Sequence, residues 1–248
     1  MLDELTDDAL TRDFRILQRA KGHRYSVDDL ATAFVAWNAR PSAKRLLDLG
    51  CGIGSVLLTL AWKIRDAELV GVEAQAISFE LLERNVARAA VSDRVRVHHG
   101  DLREEAVIAK LGRGFDLITG TPPYFRPGAA MPSKDEQRAY ARIEHRGGVE
   151  AYLATADRVV ADDGVVVVCS DARAPDRVAR GAKDARLFIH ARCDVIPREG
   201  ERALFSIWTL GRAETDVASS TMTMRDAAGA RTEDARNLRR FSGLELID

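Results

Sequence analysis

Residues 44–64, KRLLDLGCGIGSVLLTLAWKI, constrain the fold more than any other stretch of this chain. Lys44–Leu49 reads as a buried strand that runs into three alternating glycines, Gly50, Gly52 and Gly54. Beyond them Ile53, Val56, Leu57, Leu60, Ala61 and Ile64 recur at the spacing of one helix face. A strand delivered straight into a helix through a glycine turn is the first half of a βαβ unit, and so of a parallel sheet. The glycines let the backbone turn tightly and approach a ligand, and a helix N-terminus offers free N–H groups. The turn therefore suits a nucleotide cofactor at the carboxyl end of the first core strand.

The alternation continues. Leu69–Glu73 is a second strand, followed by a helix marked by Phe79, Leu82 and Val86. Val95–His98 and Phe115–Thr119 are a third and a fourth strand. Val149, Tyr152, Leu153, Ala156, Val159 and Val160 mark a helix stopped at Asp162-Asp163-Gly164. The run Val165–Cys169 is too apolar and β-branched for an edge and reads as a central strand. Leu187–Ile196 and Ala203–Leu210 are strands joined by the hairpin connection Pro197–Gly200. The pattern predicts an α/β fold: a doubly wound, mostly parallel seven-stranded sheet closed by an antiparallel hairpin. Ahead of it, Ser26 opens a helix with a Ser-x-x-Asp cap (Ser26, Asp29) and an apolar stripe of Val27, Leu30 and Phe34. Residues 1–43 form a basic, helical extension, 44–211 the core, and 212–248 a C-terminal segment packing on it, in one globular unit. Only 126–134 and 212–222 look like loops.

Composition excludes several classes. No apolar run reaches the ~20 residues of a membrane span, and the acidic N-terminus is unlike a secretory signal. Cys51, Cys169 and Cys193 are odd in number and lack a Cys-x-x-Cys pair, which points to core packing. His23, His98, His99, His145 and His190 have no partners at metal-ligand spacing, so no metal is expected. A cytoplasmic, monomeric protein is expected. Net charge is −1, but its distribution is uneven. Asp3, Glu4, Asp7 and Asp8 precede Arg12, Arg15, Arg19, Lys21 and Arg24, which only Asp13 opposes. That stretch is either a solvated helix face or a basic arm that meets phosphates, and composition does not choose.

Acids stand at successive strand ends. Asp48 precedes the glycines, and Ser55 occupies the place of the third glycine of a dinucleotide fingerprint, so the turn suits a cationic ligand better than a pyrophosphate. Glu73 ends the second strand, where a carboxylate can accept both hydroxyls of a ribose. Asp101, in Gly100-Asp101-Leu102, follows the third strand, where an acid can accept from an adenine amino group. The fourth strand runs into Thr121-Pro122-Pro123-Tyr124-Phe125. An aryl amine is a weak nucleophile because its lone pair is conjugated into the ring. Acceptors that hold its N–H groups out of the ring plane restore that lone pair. Two prolines supply no N–H and leave the Pro122 carbonyl as a rigid acceptor, while Tyr124 or Phe125 gives a face for a flat base.

LLDLGCGIG, VGVE and HHGDLRE resemble the motifs of class I S-adenosylmethionine-dependent methyltransferases, over residues ~40–211. DLITGTPPYF is similar to the Asn/Asp/Ser-Pro-Pro-Tyr/Phe motif of amino-methylating enzymes. ILQRAKGHRYSVDDL, PPYFRPGAA with ARIEHRGGVEAYLATADRVV, VIPREGERA and TMRDAAGARTEDARNL resemble the tRNA (adenine-N6)-methyltransferases that act at position 37 of valine tRNA. The resemblance implies a Rossmann-like methyltransferase fold, S-adenosyl-L-methionine as cofactor with S-adenosyl-L-homocysteine as product, and structured RNA, a tRNA, as substrate. It implies that Asp48, Gly50, Cys51, Gly52, Glu73, Asp101, Leu102 and Thr121 hold the cofactor. It gives Thr121, Pro122, Pro123 and Tyr124 to catalysis. Phe125 would meet the substrate, and Arg15, Arg19, Lys21 and Arg24 would do so if the basic arm is real. One position departs from the family, which has Asn where this chain has Thr121, a single acceptor on a shorter arm. Other acceptors, a protein glutamine or a small-molecule amine, stay open, as does a cofactor- and RNA-binding protein without turnover.

Overall fold

The computed structural model describes residues 4–128, 131 and 133–244. Asp3 of the acidic run, Ala129, Ala130 and Pro132 of the 126–134 loop, and 245–248 of the C-terminal segment lie outside the described residues.

The N-terminal extension has the expected helix at Ser26, but the segment before it is not a solvated helix face. It forms an antiparallel hairpin of β1 (Leu5–Ala9) and β2 (Arg15–Arg19), in which Asp7 and Asp8 lie opposite Leu17 and Ile16. Alternate side chains of β2 turn inward, burying Ile16 and the polar Gln18. The acids of β1 meet the cations that follow: Arg15 pairs with Asp7 at 3.2 Å and Arg24 with Asp8 at 3.0 Å. Helix α1 (Val27–Ala39) begins at Ser26, whose backbone N–H donates to Asp29 Oδ2 at 3.0 Å. The expected stripe differs too. Val27 is exposed, and the buried face is Ala31, Thr32, Ala33 and Ala36. Small side chains let α1 lie close over the sheet, with Leu30 and Phe34 half-buried at its margin.

The core follows in order. Its elements are β3 (Arg45–Leu49), α2 (Ser55–Lys63), β4 (Glu68–Glu73), α3 (Ala76–Arg88), β5 (Val95–His99), α4 (Glu105–Leu111) and β6 (Phe115–Gly120). Then come α5 (Glu136–Arg142), α6 (Val149–Val159), β7 (Val160–Asp171), α7 (Pro175–Asp184), β8 (Phe188–Ile196), β9 (Phe205–Gly211), β10 (Ala218–Thr223) and α8 (Glu233–Phe241). The sheet order is β10-β8-β9-β7-β6-β3-β4-β5, with β9 antiparallel to both neighbours and every other pair parallel. The sheet has eight strands rather than seven, because ASSTMT, polar enough to read as loop, pairs with β8 along its whole length. Asp162-Asp163-Gly164 does not end an element. It bulges within β7, between the pairs Phe115↔Val160 and Leu117↔Val165.

Alternate strand residues feed two cores. Leu46, Leu117, Val167 and Ile207 face the helices α1, α2 and α3. Leu47, Ile118, Val166, Val168 and Leu210 face α6 and α7. The chain winds β3, β4, β5 in one direction and then returns to set β6 on the other side of β3. The turns leaving β3 and β6 therefore diverge, which opens a crevice at the carboxyl ends of those strands. No helix among the described residues is long and apolar enough to cross a membrane.

Asn85 of α3 fixes the hairpin to this crevice. Its Oδ1 accepts from the Leu17 N–H at 2.8 Å, and its Nδ2 donates to the carbonyls of Leu17 and Ile53, each at 3.0 Å. Asn85→Ala leaves these groups unsatisfied, at about 1–3 kcal/mol for each one that stays buried. A loss of about 2 kcal/mol lowers the Tm of a chain this size by roughly 4–8 °C. Calorimetry showing no change would remove Asn85 as the tie.

Candidate functional site

All three glycines of the first turn have left-handed backbone, with φ of 61° at Gly50, 56° at Gly52 and 95° at Gly54. Gly50 is required for a second reason: a Cβ there would stand 2.0 Å from the Tyr152 hydroxyl. A Cβ on Gly52 would meet nothing within 4 Å, because that residue borders open space. The Cys51 N–H donates to the Val72 carbonyl at 2.9 Å and ties the turn to β4.

A cleft of about 100 Å³, open to solvent on one side, lies above the turn. Gly50, Cys51, Gly52, Glu73, Asp101, Leu102, Thr121 and Pro123, drawn from the ends of four strands, all line it. Asp48 does not. It lies beneath the floor, 1 % exposed, with Oδ1 accepting from Thr119 Oγ1 at 2.8 Å and Oδ2 without a hydrogen-bond partner. Burial pushes its carboxyl up to about 7. Asp29, which lines the cleft, is pushed up to about 8 by burial and then by Asp28.

The two remaining acids are held differently. Glu73 Oε2 accepts from the Gly52 N–H at 2.9 Å and Oε1 from the Gln75 N–H at 2.7 Å. Each oxygen keeps one acceptor position, as a pair of ribose hydroxyls requires. Burial raises the Glu73 carboxyl against these bonds. Asp101 is gripped by Arg103, its Oδ1 accepting from N–H and Nε and its Oδ2 from Nη2 at 2.7 Å. Partial burial works to raise it, and the Arg103 bonds outweigh that and hold it below the usual carboxylate range. One position on Oδ2 is left for an amino group. An unpartnered buried carboxylate oxygen on Asp48 and two carboxyls that burial makes costly to ionise fit a ligand carrying positive charge, as S-adenosylmethionine does.

The Pro-Pro turn is divided between two cavities. Thr121 and Pro123 line the large cleft, and the Thr121 hydroxyl makes no hydrogen bond among the described residues. Pro122, Pro123 and Tyr124 line a small neighbouring cavity of about 10 Å³ with Ser170, Asp171 and Arg177. The Tyr124 hydroxyl donates to Asp28 Oδ2 at 2.9 Å and meets Cys169 Sγ at the same distance. Phe125 lines neither cavity; its backbone bridges to Ile143 and its ring carries Arg142.

The basic N-terminal residues are dispersed. Arg15 and Arg24 face Asp7 and Asp8, and Arg19 is buried, 2.8 Å from Asp135. Lys21 is exposed. Arg19 Nη1 and the His23 N–H both donate to Gln137 Oε1, at 3.2 Å each, so this segment is clamped to α5. Sequence reasoning missed Tyr152, Arg146, Tyr140 and Gln75, which all line the cleft, and treated His23 as structural although it does too. Tyr152 carried a signal, a hydroxyl on the apolar face of a helix; Arg146 carried none. Among the described residues no His, Cys, Asp and Glu group is arranged to hold a metal ion.

A carboxyl whose pKa is higher folded than unfolded binds its proton more tightly when folded. The stability this gives is present at low pH and lost as pH rises through the folded value. The ligand-free protein therefore melts at progressively lower temperature from pH 5 to above 8, through the values of about 7 for Asp48 and about 8 for Asp29. Asp48→Asn shallows that decline; identical pH profiles for the two proteins would refute the assignment.

Comparison with known proteins agrees with this geometry. Residues 23–139 match the methyltransferase small domain family. A tRNA1(Val) (adenine(37)-N6)-methyltransferase of Yersinia pestis is 27 % identical over 195 residues, 78 % of this chain and 77 % of that protein. The crystal structure of a predicted O-methyltransferase from Agrobacterium tumefaciens superposes with a TM-score of 0.64 at 19 % identity, over 87 % of this chain and 96 % of that one. A geranyl diphosphate C-methyltransferase from Streptomyces coelicolor, solved with S-adenosyl-L-homocysteine, gives 0.51 at 12 % identity, over 74 % and 79 %. The match over residues 23–139 and the fold shared with these structures support an S-adenosylmethionine-dependent methyltransferase.

Proposed function

We propose that this methyltransferase acts on an exocyclic amine, the N6 of an adenine in structured RNA such as a tRNA. One observation carries the reading. Thr121 and Pro123, from the Pro-Pro turn after β6, share a cleft with the glycine turn after β3. The name of the Yersinia relative adds the acceptor class, and an RNA-modifying role fits a cytoplasmic, single-chain enzyme.

When bound, the cofactor supplies a methyl carbon already activated by a sulfonium. The remaining work falls to positioning. Glu73 keeps two acceptor positions for ribose hydroxyls and Asp101 keeps one for an adenine amino group. Asp29 in the cleft and Asp48 beneath it, costly to ionise by themselves, become favourable as carboxylates next to the cofactor's cationic groups. The Pro122 carbonyl and the Thr121 hydroxyl accept the two N–H groups of the target amine and turn its lone pair out of the ring.

The test is incubation with methyl-labelled cofactor and bulk tRNA, rRNA and protein, followed by digestion. Label in N6-methyladenosine is expected. Label in a protein glutamine or a small molecule instead, or no transfer at all, would overturn the reading. Thr121→Val keeps the shape and deletes the acceptor, so transfer should fall by roughly five- to 150-fold, the weight of about 1–3 kcal/mol, with cofactor affinity retained. Thr121→Asn should keep or raise it. Equal rates for wild type and Thr121→Val would make Thr121 a spacer.

A further inference from the structure

The segment that brings Tyr140, Ala141 and Arg146 to the cleft carries cations separate from the N-terminal arginines. Between the Pro-Pro turn and α6 the chain carries Arg126, Lys134, Arg138, Arg142 and Arg146 against Asp135, Glu136 and Glu144. Two of those acids are taken by cations from elsewhere, Asp135 by Arg19 and Glu144 by Arg177. Arg138 is spent on the carbonyls of Lys21 and Gly22. Arg126, Lys134 and Arg142 are exposed, and neither they nor Arg146 has an ion-pair partner among the described residues. The N-terminal arginines differ: Arg12, Arg15 and Arg24 each face an aspartate of their own segment.

The two ends of this stretch are tied to each other. The Phe125 N–H donates to the Arg142 carbonyl at 3.0 Å, and the Glu144 N–H to the Phe125 carbonyl at 2.9 Å, so its two ends lie side by side. The Arg142 guanidinium sits 5.5 Å over the Phe125 ring and that of Arg146 4.6 Å over Tyr140, with Tyr140 and Arg146 both in the cleft wall. A guanidinium stacked on one ring still has an outer face for a base and edges for phosphate oxygens.

We infer that Arg126, Lys134, Arg142 and Arg146 form the surface that grips unpaired RNA nucleotides flanking the target, and that the N-terminal arginines do not. This rests on the RNA reading above. The nucleotides are unpaired because a base inside a duplex cannot bring its amine down to Thr121. One in a loop, or swung out of a stack, can, and its neighbours are then free to lie on arginine faces. Each exposed cation that neutralises a single-strand phosphate steepens the salt dependence of binding by about 0.7 in log K against log salt.

The experiment measures binding of an RNA stem-loop with an adenine in its loop, by fluorescence anisotropy between about 50 and 200 mM salt. It compares wild type, the triple variant Arg126→Ser/Lys134→Ser/Arg142→Ser, and the triple variant Arg12→Ser/Arg15→Ser/Arg24→Ser. Calorimetric affinity for S-adenosylhomocysteine, unchanged in both variants, shows that they are folded. The first triple variant should lose about 2 from the salt slope, the sum of three such contacts, while the N-terminal variant keeps the wild-type slope. The wild type should also bind the stem-loop more tightly than a fully paired duplex of the same length. A full slope in the first triple variant, an equal loss in the N-terminal variant, or equal affinity for the duplex would overturn the inference and leave the RNA reading standing. A wild type that binds no RNA would overturn both.

Discussion

The site depends on one wedge. Tyr152, on the buried face of α6, fills the space between the first turn of the core and the end of β6. A Cβ on Gly50 would come within 2.0 Å of its hydroxyl, and one on Gly120 within 2.6 Å of Cδ1. Both glycines therefore serve the same ring. The ring sets how far the glycine turn after β3 stands from the Pro-Pro turn after β6. In-line displacement is sensitive to that kind of spacing, since a shift of about 1 Å can cost on the order of 100-fold. The switch point of the sheet makes the two turns diverge, and Tyr152 fixes by how much.

Charge is arranged around the same point. Asp48 and Asp29 are buried at the cofactor end, and burial raises both carboxyls. Burial, and then the charges of Glu73 and Asp48, keep the Tyr152 hydroxyl protonated. Buried carboxyls are costly by themselves and favourable beside a positively charged ligand. Asp101, after β5, is in the opposite condition, held ionised by Arg103. The cations lie on the segment that fastens Phe125 to Ile143.

Much of this was legible in the sequence. The strand–glycine–helix run, the acids at successive strand ends and the Pro-Pro turn are local patterns, and a parallel sheet brings the ends of its strands together whatever the details of packing. What was not legible depends on contacts between distant residues. The charge run at 12–24 becomes a hairpin and its flank because Asp7 and Asp8 fold back onto it, a pairing across the chain that charge order alone does not disclose. Residues 218–223 look like loop because an edge strand needs no apolar face, only a neighbour with free backbone groups. The buried face of α1 is alanine-rich, so the larger Val27 drew attention to the wrong side. Tyr152 read as core, which it is, and only the two glycines facing it show its second role.

The most direct test of the wedge is Gly120→Ala, followed by two quantities: affinity for S-adenosylhomocysteine by calorimetry, and single-turnover methyl transfer to RNA. The nearest atoms to the added methyl belong to Tyr152 and Leu49, so it presses on the Tyr152 ring beside the Pro-Pro turn rather than on Glu73 or Asp101. Transfer should fall by at least about tenfold, with cofactor affinity held within about threefold. Unchanged transfer, or an equal loss in both quantities, would contradict the claim that Tyr152 sets the distance between cofactor and acceptor.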